Sequence, residues 1–254
     1  MSDHLTCNHC VWPHRTNAWL IVVAAALACV SARAAEDSGP CGSPYATKVG
    51  PYDYRTEQGQ NKHIVENYHF TPLVEGLIKG ESASLGADIG YTLHAFPNHH
   101  RALVAMMNLG IKLKTSQPPG ASFTVECYFN RALRFRGDDA IARILYAKYL
   151  ALDGRKDDAR KQLKIADEFA GDNGFTHYNI GLSFLEMSDY SDALSQAHRA
   201  LELGFMRPEL KAQLIAAGKW IEPPAAPASA SASASASAPA PAPDAAASQA
   251  APSK

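Results

Sequence analysis

The sequence predicts an all-α protein, a solenoid of about three to four stacked helical hairpins, and two observations carry that expectation. The first is a repeat of small residues. Ala159 and Ala193, Ala166 and Ala200, and Ala147 and Gly181 stand one period of about 34 residues apart. The second is that larger side chains fall in register between them, Tyr146 with Ile180 and Leu150 with Phe184. A short helix pair cannot bury its apolar face alone, so each hairpin stacks on the next, and close approach demands small side chains where helices cross. Gly154 and Ser188 mark the corners of the two hairpins that spacing alone makes readable, between Asp139 and Phe205.

From the start of the chain, Trp19 to Val30 form one apolar run behind Arg15, followed by Ser31, Ala32, Arg33 and Ala34. A run of about a dozen residues is too short for a membrane-crossing helix, which needs roughly 20. Residues 1–34 therefore read as an export signal cleaved after Ala34, which makes the protein periplasmic or otherwise exported. The competing reading is a membrane-anchored lipoprotein acylated at Cys29, with a membrane as partner only in that case. Cys7-Asn8-His9-Cys10 looks like half of a zinc site, but no second ligand pair follows at a suitable spacing, so no metal site is assigned. Cys41 and Cys127 remain after cleavage, an even number for an oxidising compartment. Whether they form a disulfide depends on their Cα atoms lying within about 7 Å, which the sequence leaves open.

Residues 35–70 carry turn formers and aromatics, Gly50-Pro51-Tyr52-Asp53-Tyr54 among them, with no helical period. They are expected to lie as an irregular segment packed on the helices, anchored by Tyr52, Tyr54 and Tyr68. Residues 71–220 are the repeat region. Thr71-Pro72 opens a helix that Gly80 closes, and Ser84 to Ala95 returns from it as a degenerate first hairpin. Asn98 is placed as the N-cap of a helix to Leu113. Gln117-Pro118-Pro119-Gly120 then forces an enlarged corner before a helix from Phe123 to Phe135. In that helix Val125, Phe129 and Ala132 precede Ala159, Leu163 and Ala166 by one period of about 34 residues. After the two clear hairpins, Pro208 to Trp220 supplies the capping helix that a solenoid needs. Residues 221–254 are almost wholly Ala, Ser and Pro and read as a disordered tail, unable to bury enough surface to offset its ordering entropy.

Gly181, Phe184, Tyr190, Ala193 and Ala200, with Ala147, Gly154, Ala159 and Ala166 one repeat earlier, resemble the tetratricopeptide-repeat (TPR) superfamily. His177, Ala197 and Phe205 depart from that family's usual large aromatic, Phe and Pro. The stretch from Asp88 to Ala105 also resembles a group of exported bacterial repeat proteins. The resemblance implies a right-handed α-solenoid of TPR-like hairpins that binds a protein or peptide partner on its inner face, as in envelope assembly. Carried onto matching positions, that face holds Ile141, Ile144 and Lys148 on one first helix and Phe175, Tyr178, Leu182 and Leu185 on the next. The family's Lys and Asn clamp for a terminal carboxylate is absent, because Ile144 and Tyr178 occupy its positions. An apolar groove of this kind suits an extended peptide, an amphipathic helix or the protein's own N-terminal segment around Tyr52.

Charge and motifs exclude other classes. A formal net charge of -1 offers no field for nucleic acid. No nucleophile elbow, phosphate-cradling glycine loop or His-Glu-x-x-His is present, so the chain reads as a non-enzyme with no cofactor. Asp138 with Asp139, and Asp157 with Asp158, start helices and read as dipole-matching carboxylates. The densest polar cluster is His94, His99 and His100, the basis of an alternative small-ligand binder or enzyme. Adjacent His99 and His100 point about 100° apart on a helix and form a poor ligand pair. A purely structural spacer is the third class.

Overall fold

Ten helices and no strand make up the regular structure among the described residues, 39–223, of the computed structural model. The apolar run expected to be an export signal, Cys29, the Cys7–Cys10 motif and the Ala/Ser/Pro tail beyond Pro223 lie outside the described residues. All helices belong to the unit that ends at Trp220.

In chain order they are α1 (Gln60–His69), α2 (Pro72–Glu75), α3 (Leu85–Ala95), α4 (His100–Leu113), α5 (Val125–Phe135), α6 (Ala140–Leu152), α7 (Lys156–Glu168), α8 (Gly174–Glu186), α9 (Tyr190–Glu202) and α10 (Pro208–Ala216). Their starts follow capping chemistry. Ser84, Thr124, Asp139 and Asn173 each accept the backbone N–H three residues ahead, satisfying a donor that the first turn leaves orphaned. Pro208 occupies the first turn of α10, where a missing N–H costs nothing.

The most extensive packing joins α6 to α7 and α8 to α9, each pair linked by a short corner at Gly154 or Ser188. Both corner residues take positive φ, +81° and +68°, reversing the chain within one turn. α8 also packs on α6 and α7, α4 on α6, and α10 on α8 and α9. The small residues sit at these crossings: Ala147, Ala159, Ala166, Ala193 and Ala200 are all buried. A Cβ on Gly181 would lie 2.6 Å from Leu210 Cδ2 and 3.2 Å from Gln196 Cβ, so only glycine lets α8 approach its neighbours this closely.

Four expectations are corrected. Residues 35–70 are not wholly irregular, since Gln60–His69 is helical. α1 buries only Val65 and so shows no apolar stripe; tertiary partners hold it, Glu66 meeting His99 and His69 meeting Asp88. The helix opened by Thr71-Pro72 stops at Glu75 rather than at Gly80. There the Ile78 N–H turns back to the Leu73 carbonyl and Lys112 Nζ donates to the Leu77 carbonyl, fixing a loop. The N-cap of α4 is His99, not Asn98. Of the three tyrosines, Tyr52 and Tyr54 pack on Phe96 and His99, whereas Tyr68 is 63% exposed and it is its carbonyl, accepting from the Ser82 hydroxyl, that is held rather than its ring.

The N-terminal segment is fastened at two places. Cys41 and Cys127 are joined by a disulfide with Cα atoms 5.0 Å apart, and beside it Arg131, buried in α5, donates to the Cys41 and Ser43 carbonyls while its guanidinium lies over Phe123. The second place is a polar hub at the N-terminal ends of α4 and α6. Asn98, fully buried, accepts the Tyr54 N–H and donates to both Asp53 and Asp139.

Candidate binding site on the face of α4, α6 and α8

A cavity of about 330 Å³ opens where α4, α6 and α8 lie side by side, with Glu75, the last residue of α2, at its edge. Its apolar lining comes from Val104 and Ala105 on α4, Ile141, Ile144 and Leu145 on α6, and Phe175 on α8. The 3.6-residue period explains the set: Ile141, Ile144 and Leu145 fall on one stripe, as do Arg101, Val104, Ala105 and Asn108. Phe175 is 52% exposed, its ring meeting Phe205 edge-on at 5.8 Å.

The acidic and basic side chains of the rim already have partners. Arg101 Nε donates to Glu75 Oε1 at 2.8 Å and Nη2 engages the other carboxylate oxygen, which holds the Glu75 carboxyl below the usual range. His100 Nε2 lies 3.0 and 2.9 Å from the two Asp139 oxygens. Asp139 is 1% exposed, and burial alone would raise its carboxyl. Hydrogen bonds from His100, the Ala142 N–H and Asn98 outweigh that and lower it. Asp53 behaves likewise: burial pushes it up, but Arg55, Asn98 and Arg136 hold it well below the carboxylate range. The carboxylate that caps α6 thus also fixes the orientation of the histidine at the cavity.

The residues expected to bind a partner separate into groups. Ile141, Ile144 and Phe175 line the cavity. Lys148 lies one turn further along α6 and pairs with Glu186 at 3.0 Å. Tyr178 is buried, its ring against Phe205 and its hydroxyl donating to Glu209 at 3.1 Å. Leu182 and Leu185 are half-buried against the core. Tyr52 and Tyr54, candidates to fill the groove, do not line the cavity.

The three histidines do not share one pocket. His99 is buried: Nδ1 accepts the Ala102 N–H, which leaves Nε2 to donate to Glu66 at 3.1 Å. Burial, partly offset by Glu66, lowers its pKa, in keeping with a neutral ring. His94 stacks on Phe123 beside a separate cleft formed with Tyr91 and residues 46–49. Only His100 reaches the α4–α6–α8 cavity.

Reading the sequence missed the α4 contribution. Its signal was present: Asn108-Leu109-Gly110 and Asn179-Ile180-Gly181 are the same pattern, and a Cβ on Gly110 would meet Val125 Cγ2 at 2.8 Å, as one on Gly181 meets Leu210. Both asparagines line the cavity. Chemically, the arrangement offers an apolar floor with neutral amides and one oriented imidazole, and its lining includes no Ser, Thr, Cys or Lys side chain. No protein-family model, curated protein or solved structure matches the chain.

Proposed function

We propose that this protein is an exported TPR-type scaffold, a right-handed α-solenoid that holds a protein or peptide partner on the α4–α6–α8 face. The observation that carries the reading is the cavity, an apolar recess assembled from three helices that each begin a helix pair. The order of packing supports the solenoid: α6 and α7, then α8 and α9, with α10 against the last pair, and small residues at the crossings. The Cys41–Cys127 bond fits an oxidising compartment and so supports export. Recesses lined by apolar side chains with a few polar groups are where proteins bind other molecules.

The test is site-specific photocrosslinking in the producing cell. A photoreactive residue at Phe175 is expected to give a discrete adduct, and one at Lys164, exposed on α7, is expected to give none. Equal labelling from both positions, or labelling from Lys164 alone, would remove the proposal.

A further inference from the structure

We infer that the occupant of the α4–α6–α8 cavity is an uncharged, apolar stretch of polypeptide, an inference that rests on the scaffold reading above and names its partner class. Each acidic or basic side chain around the recess already has a polar partner within the chain. Arg101 is held by Glu75 on two atoms and lies 3.7 Å from Glu66, His100 is held by Asp139, and Lys148 is paired with Glu186. A charged side chain entering here would leave water for a wall of Val104, Ile141, Ile144, Leu145 and Phe175 and find no free countercharge. It would have to share or displace an existing partner while giving up water against that apolar wall, which carries a desolvation cost.

An apolar side chain meets no such penalty. The volume, about 330 Å³, lies at the lower end of ligand pockets, roughly 300–1,000 Å³, and suits one or two aliphatic side chains. Two polar side chains are left over. With His100 Nε2 directed at Asp139, the ring's Nδ1 has no partner among the described residues and is left to meet a backbone polar group. The Asn108 carboxamide likewise has none and both donates and accepts. Together they match the N–H and C=O groups of a peptide backbone.

The experiment titrates the full chain, with methyl-labelled Ile, Leu and Val, using acetylated and amidated Ala-Ser-Leu-Leu-Ser-Ala and two versions in which both serines are Glu or Lys. The neutral peptide is expected to shift the Ile141, Ile144 and Val104 methyl signals and to bind about tenfold more tightly than either charged version. Phe175→Ser, at a half-exposed position, is expected to weaken it while leaving the other methyl signals in place. A charged peptide that binds as well as the neutral one overturns the inference, as does the absence of shifts with all three at millimolar concentration. Stronger shifts with octyl glucoside overturn it in favour of an acyl-chain ligand. Crosslinking at Phe175 with failed peptide selectivity leaves the scaffold standing and removes only this inference; selective peptide binding without any cellular crosslink does the reverse.

Discussion

Replacing Asn98 by alanine removes the residue on which two buried carboxylates and the N-terminal segment converge. Its Nδ2 donates to Asp53 Oδ1 and to Asp139 Oδ2, each at 2.8 Å, and its Oδ1 accepts the Tyr54 N–H at 3.0 Å. Hydrogen bonds to charged groups contribute about 1.5–3 kcal/mol each and a neutral one about 1, so the gross loss is about 4–7 kcal/mol. Asp53 keeps Arg55 and Arg136, while Asp139 keeps His100 and the Ala142 N–H, and these donors meet part of the demand. The net destabilisation should be roughly half the gross figure, about 3 kcal/mol, a large part of the 5–15 kcal/mol typical of a domain. With a urea slope of about 2 kcal/mol/M, the midpoint followed by helical circular dichroism falls by about 1.5 M. Asn108→Ala, at an exposed asparagine, should stay within about 0.5 kcal/mol. A loss below about 1 kcal/mol for Asn98→Ala would refute the reasoning, since the carboxylates would then be satisfied without it. Combining it with Asp53→Ala should give less than the sum of the two, by about 1–2 kcal/mol.

Removing the disulfide as Cys41→Ser with Cys127→Ser releases a loop spanning 86 residues of separation and should cost about 2–4 kcal/mol in the same urea assay. For His99, burial lowers the folded pKa, so its contribution is complete above the ordinary histidine value and is lost as pH falls through the lowered one. The melting temperature should therefore drop on acidification from neutral pH, and His99→Asn, which keeps a capping side chain, should flatten that dependence. Gly181→Val would press a branched side chain on Leu210, itself 1% exposed. It should cost about 1–3 kcal/mol by denaturation, more than Gly39→Ala, where no heavy atom lies within 4 Å of the added Cβ and φ is not positive.

Helix content from Asp139 to Glu202 was legible because local chemistry and packing agree there. Caps at Asp139 and Asn173, corners at Gly154 and Ser188 and buried alanines one repeat apart all point to the same elements. α1 was not legible because its register is set by distant partners: Glu66 answers His99 and Val65 sits with Ala95 and Phe96. The cap of α4 was misplaced by one residue for a related reason. Asparagine is the better capping type, yet Asn98 is claimed by Asp53 and Asp139 and the imidazole of His99 takes the Ala102 N–H instead.

The candidate site shows the same division. Ile141, Ile144 and Phe175 were visible from the repeat register, whereas the state of the rim was not, because it depends on pairs distant in sequence such as Arg101 with Glu75 and His100 with Asp139. Those pairs give the N-terminal segment its bearing on the recess. Asp53 and Tyr54 engage Asn98, Asn98 engages Asp139, and Asp139 both caps α6 and holds His100 at the cavity. The segment therefore bears on the site by fixing the helix ends and the histidine that frame it rather than by occupying it, and a substitution at Asp53 should alter the cavity without touching its lining.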